Sequence, residues 1–174
     1  MESVERLHIA VFASGRGSNF QALLQAIEEK RIPNAHIVLV VSNNSDAGAL
    51  AVARKHNISA VYLSQKQFAS EKEFNRALLQ TLDSHGANFI ALAGYMKRLD
   101  AAVIQRYRYR MVNIHPALLP SFGGKGMYGA HVHEAVIASG VKLTGVTVHI
   151  VDEEYDHGLI VLQRTVAVED HDSQ

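Results

Sequence analysis

The stretch Asn113-Ile114-His115-Pro116 sets a carboxamide and an imidazole two residues apart. In a β-strand such residues share one face, about 7 Å apart. The spacing predicts that Asn113 and His115 face one side while Val112 and Ile114 face the core. Pro116 ends the strand and stiffens its exit. A carboxamide donor beside an imidazole can hold a developing oxyanion and move a proton. The plainer reading is a strand end whose polar groups satisfy loop backbone. A carboxylate facing His115 would orient the ring and favour its charged form. The acidic stretch Asp152-Glu153-Glu154-Tyr155-Asp156-His157-Gly158 offers several. Asp156 is the natural candidate, because Gly158 lets the chain turn tightly beside it. Asp152 stands as the alternative, and a solvated turn as the plain one.

A second cluster is Ser14-Gly15-Arg16-Gly17-Ser18-Asn19. A strand running into two glycines and then a helix can bring backbone amides close to an anion. No Gly-Lys-Ser/Thr follows, so this is not a Walker A loop. Phe20 stands where a dinucleotide fingerprint has its third glycine, and Ser42-Asn43-Asn44 stands where a ribose-gripping acid belongs. One terminal phosphate on Gly17, Ser18 and Asn19 fits better. A glycine turn capped by Ser18 or Asn19 is the plain alternative. Lys97-Arg98 reads equally as an anion contact or a solvated pair. His131 and His133 lie on an expected helix, where residues two apart diverge by about 200° and cannot chelate one ion. No metal site is expected. The Tyr107-Arg108-Tyr109-Arg110 alternation is too short for nucleic-acid binding and leads into a strand.

These clusters need elements to position them. Leu7–Phe12, Ile37–Val41, Ala60–Leu63, Phe89–Leu92 and Met111–His115 read as buried strands. Helical spacing runs through 19–30, 47–56, 71–84 and 101–107 between them. The βαβ alternation predicts an α/β fold: a Rossmann-like, open, mostly parallel sheet with helices on both faces. Beyond Pro116 a Gly- and Pro-rich loop at 119–128 precedes a helix at 131–139. Thr144–Val151 and Leu159–Val168 then read as an antiparallel C-terminal strand pair. Ligands in such sheets bind beyond the carboxyl ends of the strands. The three richest polar clusters fall at the ends of the first, fourth and fifth strands.

The composition narrows the function classes. The 174 residues are 48% hydrophobic and 20% charged. This suits a single domain, 1–174, with its own core, and excludes disorder as the main state. Seventeen basic and seventeen acidic side chains cancel to +0. That argues against a nucleic-acid binder while allowing a local anion pocket. Without cysteine there is no disulfide scaffold, thiolate zinc centre or cysteine nucleophile. Acid–base chemistry falls to the ten histidines. Met1-Glu2-Ser3-Val4-Glu5-Arg6 is unlike a signal peptide. No apolar run reaches the ~18 residues of a membrane span, so a cytoplasmic protein is expected.

Taken together, the sequence resembles the phosphoribosylglycinamide formyltransferases, folate-dependent enzymes of purine biosynthesis. The resemblance rests on Ser14–Asn19, Ala93–Met96, Asn113–Pro120, Gly124–Gly129, Gly145–Asp152 and Tyr155–Gly158, which occur in the family's order. It implies two small-molecule partners, glycinamide ribonucleotide and the co-substrate 10-formyltetrahydrofolate. It implies no metal, nucleic acid or membrane. Asn113, His115 and Asp156 would be catalytic, with the formyl group between them. Gly17, Ser18 and Asn19 would hold the substrate phosphate. Met96, Lys97, Arg98, Leu99 and Asn113, with Asp152, Glu153, Glu154, Tyr155 and Asp156, would line the folate site.

Three departures from the family pattern stand out. Phe122-Gly123-Gly124 lacks the family's frequent proline, so a looser loop is expected. Glu71 stands where some members carry a folate-touching arginine, and that contact is not carried over. The family's C-terminal helical segment, which gives an acidic contact to substrate, is absent from the 174 residues. A 10-formyltetrahydrofolate hydrolase of the same fold and a non-catalytic nucleotide-binding module are the alternatives. Methionyl-tRNA formyltransferase is disfavoured by the missing basic excess. The sequence leaves the oligomeric state open.

Overall fold

Apolar runs form the strands, and their alternation buries both faces of the sheet. The computed structural model describes residues 6–173. The remaining ends of the expected domain, residues 1–5 and 174, lie outside the described residues. In chain order the elements are β1 (Leu7–Phe12), α1 (Ser18–Glu28), β2 (Ala35–Ser42), α2 (Gly48–Lys55) and β3 (Ser59–Tyr62). There follow α3 (Glu71–Ser84), β4 (Phe89–Leu92), α4 (Ala101–Arg106), β5 (Met111–His115), α5 (Ala130–Ser139), β6 (Leu143–Ile150) and β7 (Ile160–Ala167). A 3-10 turn at Gln65–Gln67, held by a reciprocal cap between Ser64 and Gln67, stands where the sequence pattern predicts no element.

The seven strands form one sheet in the order β3-β2-β1-β4-β5-β6-β7. β1 to β5 pair in parallel. β6 is antiparallel to β5 as well as to β7, because the chain returns to the sheet at the end where β5 left it. The expected α/β class and the antiparallel C-terminal strand pair are therefore observed.

Strand alternation divides the core in two. Ala10, Phe12, Ile90, Leu92 and Met111 pack on one face with Phe74, Leu78 and Leu82 of α3 and Val103 of α4. Ile9, Val11 and Ala91 pack on the other with Phe20 and Leu24 of α1 and Leu50 of α2. Tyr107 is buried after α4, and its hydroxyl donates to the Ala87 carbonyl at 3.0 Å. The Tyr-Arg alternation is therefore structural. β7 joins the sheet through β6, and all its residues are exposed. Among the described residues no helix is long and apolar enough to cross a membrane.

α3 opens on Ser70, whose side chain accepts from the Glu73 amide, with Glu71 and Glu73 in the first turn. These features favour a helix start. Burial of Phe74, Leu78 and Leu82 then fixes which side meets the sheet. Leu78 is fully buried. Leu78→Ala should cost about 2–5 kcal/mol of stability, read as a lowered denaturation midpoint. A loss below about 1 kcal/mol would show that α3 does not anchor this core.

Candidate active site

Met111, Asn113 and His115 lie on the same face of β5, and Met111 belongs to the α3–α4 core. The two polar side chains thus stand where that core gives way to the carboxyl end of the sheet. The antiparallel register sets His149 of β6 directly opposite Asn113, and Thr147 opposite His115. The loop after β6 brings Asp156 to the same point. Its Oδ1 lies 3.5 Å from His115 Nδ1, 3.6 Å from His149 Nε2 and 3.5 Å from Asn113 Nδ2. Its Oδ2 accepts from the Gly124 amide at 3.0 Å. His115 and His149 side chains are each 3% exposed and Asp156 is 11% exposed.

Hydrogen-bond chemistry fixes the ring roles. His115 Nε2 lies 2.8 Å from the Phe122 carbonyl, which only accepts, so Nε2 carries a proton and donates. Nδ1 faces the carboxylate and donates to it when that nitrogen is also protonated. His149 Nδ1 donates to the Ile150 carbonyl at 2.9 Å. Its Nε2 then accepts from the Asn113 amide at 3.1 Å while the ring is neutral. A proton on Nε2 would turn the ring into a donor to Asp156 and release the Asn113 N–H. Burial alone would raise the Asp156 pKa. The His149 hydrogen bond, the Gly124 amide and the charges of His115 and His149 outweigh it and hold the carboxyl below its ordinary 3.8.

The loop expected to be loose is instead fitted around these groups. Phe122 adopts φ 56 and Gly124 φ 98, which places the Phe122 carbonyl on His115 and the Gly124 amide on Asp156. A Cβ on Gly123 would sit 2.5 Å from Leu119 Cδ2 and 3.2 Å from Asp156 Cβ. Close packing around Gly123 holds the loop in place. The base of the loop is pinned by buried Thr147. Its hydroxyl donates to the Ala117 carbonyl at 2.6 Å and accepts from the Leu119 amide at 3.0 Å. Gln163 of β7 adds bonds to the Leu119 carbonyl and to Thr147.

The turn expected at Gly158 is made by Asp156 itself, which takes the left-handed conformation, φ 54, one that aspartate tolerates better than most residues. Gly158 is small for another reason: a Cβ there would lie 1.9 Å from the Ile150 carbonyl oxygen. The alternative candidate, Asp152, is occupied elsewhere. It accepts from the Glu154 amide and from His157 Nδ1, both at 2.9 Å.

A cavity of about 890 Å³ opens on the cluster. Its lining includes Met96, Lys97, Arg98, Leu99 and the 151–156 loop. Leu99 turns its side chain into the core, and Arg98 is engaged by protein, donating to the Glu153 carbonyl at 2.7 Å. The lining also includes Asn19, Lys125 and His133. Gly17 is buried with φ 81 at the start of α1, and a Cβ there would lie 2.8 Å from Ala49 Cβ. No side chain caps this helix, so neither Ser18 nor Asn19 plays the capping role, and first-turn amides stay available to an anion. Ser14 joins the two sides. Its hydroxyl accepts from the Met96 amide at 2.8 Å and donates to Asn43 Oδ1 at 2.5 Å.

Sequence reasoning assigned no role to His149, Thr147 or Ser14. His149 carries no local sequence signal, because its place opposite Asn113 depends on the antiparallel β5–β6 register. Among the described residues no group of three or more His, Asp or Glu side chains could hold a metal ion.

Comparison with known proteins places the chain among relatives. The model of the family described as formyl transferase matches residues 7–174. A phosphoribosylglycinamide formyltransferase, chloroplastic, of Arabidopsis thaliana is 42% identical over 94% of this chain and 56% of its own length. A phosphoribosylglycinamide formyltransferase of Bacillus subtilis is 35% identical over 94% of this chain and 81% of its own. The chain thus spans little more than half of the plant relative. The solved structure of glycinamide ribonucleotide transformylase 1 from Symbiobacterium toebii superposes with a TM-score of 0.90 at 33% identity. It covers 98% of this chain and 78% of that one. With the family's sequence pattern running through all the described strands and helices and its fold reproduced, the chain belongs to the formyl transferase family.

Proposed function

We propose that this protein transfers a formyl group from 10-formyltetrahydrofolate to the amine of 5′-phosphoribosylglycinamide, a step of purine biosynthesis. The observation that carries the reading is the meeting of Asn113, His115 and Asp156 in the wall of one cavity, which this reading divides into two arms that join at the cluster. The arm beside Met96, Leu92, Ile104, Val151 and Tyr155 is apolar and aromatic, suited to a flat pterin. The arm reaching Asn19 ends at the uncapped helix start, suited to a phosphomonoester. Gly17, Ser18 and Asn19 hold that phosphate in this reading. Met96, Lys97 and Leu99 with the 152–156 loop border the folate.

The co-substrate supplies an activated formyl carbon, and the amine of the acceptor attacks it. Negative charge then develops on the formyl oxygen. Asn113 donates to that oxygen by giving up its longer contact, the one at 3.5 Å to Asp156. His115, protonated on both nitrogens, supplies positive charge beside the oxygen. The Phe122 carbonyl and Asp156 hold the ring in place. Asp156 stays ionised throughout the neutral range because its pKa is lowered. Water carries the amine proton to the leaving nitrogen.

Steady-state formyl transfer, followed by the folate absorbance change in the presence and absence of glycinamide ribonucleotide, tests the reading. Absorbance change that ignores the ribonucleotide would mean hydrolysis. Asn113→Ala and His115→Ala should each lower kcat by about 10²–10³-fold; near-normal turnover in either would remove it from the machinery.

Asp156→Asn should depress the rate and change its pH profile. It also makes a stability prediction. A carboxyl with a depressed native pKa contributes stability above its unfolded value and loses it as pH falls through the native one. The stability gap between wild type and Asp156→Asn should therefore shrink as the pH falls below the ordinary value of 3.8. A gap that widens on acidification in urea melts would contradict the assigned ion pairing.

A further inference from the structure

The folate arm has two walls that come from distant parts of the chain. One is the segment between β4 and α4, and the other is the loop between β6 and β7 that delivers Asp156. Side-chain contacts of Arg98 and Gln105 join them. Arg98 Nη2 donates to the Glu153 carbonyl at 2.7 Å, and its guanidinium lies 5.4 Å from the centre of the Tyr155 ring. Gln105 Nε2 donates to Glu153 Oε1 at 3.0 Å.

The root of Arg98 is rigid. Leu99 is buried beside it, and Asp100 caps α4 by accepting from the Ala102 amide at 2.8 Å. The far wall is a compact unit, since Asp152 gathers the Glu154 amide and His157 from within the loop. Gln105 attaches that unit at Glu153, and Arg98 attaches it both there and at Tyr155, one residue away from Asp156.

We propose that Arg98 is a positioning residue that clasps the 152–156 loop. It thereby sets the width of the folate arm and holds Asp156 against His115. In this role its guanidinium is spent on protein, on a carbonyl and an aromatic face, rather than on an anionic ligand. A guanidinium suits both partners at once: its edge donates while its plane stacks. A lysine would keep the charge and lose the combination. The kinetic part of this inference rests on the formyl-transfer reading above; the structural part does not.

The test pairs hydrogen exchange of the ligand-free protein with kinetics on Arg98→Ala, Arg98→Lys and Tyr155→Ala. Arg98→Ala and Tyr155→Ala should each speed amide exchange at 152–158 by about five- to tenfold while the core strands stay protected. Both should raise KM for the folate by a similar factor and leave KM for glycinamide ribonucleotide unchanged. Arg98→Lys keeps the charge without the planar fork and should fall between wild type and Arg98→Ala. A raised folate KM with unchanged exchange would overturn the clasp, because Arg98 would then touch the ligand itself. If the wild type transferred no formyl group, the functional reading would fall, and the exchange data alone would decide the clasp.

Discussion

A nearly buried carboxylate cannot be left unpaired, and the site is built around that constraint. Removing an ion from water is costly unless charges and donors replace the water. Asp156 meets this demand on both oxygens, with two imidazoles and a carboxamide about one and a backbone amide on the other. Its partners come from β5, from β6 and from the loop after β5. Satisfying one side chain therefore fixes three segments against each other. It also explains why Asp156 sits in a left-handed conformation: that turn aims both oxygens inward.

The glycines near the site answer the same constraint at one remove. Gly123 is small because Leu119 and the Asp156 side chain crowd it, and Gly158 because the Ile150 carbonyl does. Thr147 and Gln163 then lock the stem of the loop whose Phe122 carbonyl holds His115. This gives β7 a part in the site although all its residues are exposed. Gln163 reaches from the edge strand to the segment that follows β5.

The placement of the cavity follows from topology. β1 has β2 on one side and β4 on the other, so the connections leaving it diverge and open a crevice at its carboxyl end. The glycine loop after β1 and the Gly94–Leu99 segment after β4 border that crevice. Ser14 bonds across it to Met96, which ties the two borders together. The proposed formyl transfer asks for such a layout, because two ligands must meet end to end with a few polar groups at the join.

Much of this was legible from the linear order of residues. The strands and helices follow from apolar periodicity, because a sheet covered on both faces needs continuous buried runs. Asn113 and His115 share a face because strand geometry has a period of two. Other features needed coordinates, because they depend on register and close approach between distant segments. The pairing of Asn113 with His149 depends on β6 running antiparallel to β5, which no local pattern encodes. The choice of Asp156 over Asp152 depends on which carboxylate the loop turns inward. The tightness of Phe122–Gly124 depends on contact with a residue more than thirty positions away. Local periodicity is written in neighbouring residues; convergence in space is settled by which surfaces pack, and that is a property of the folded chain.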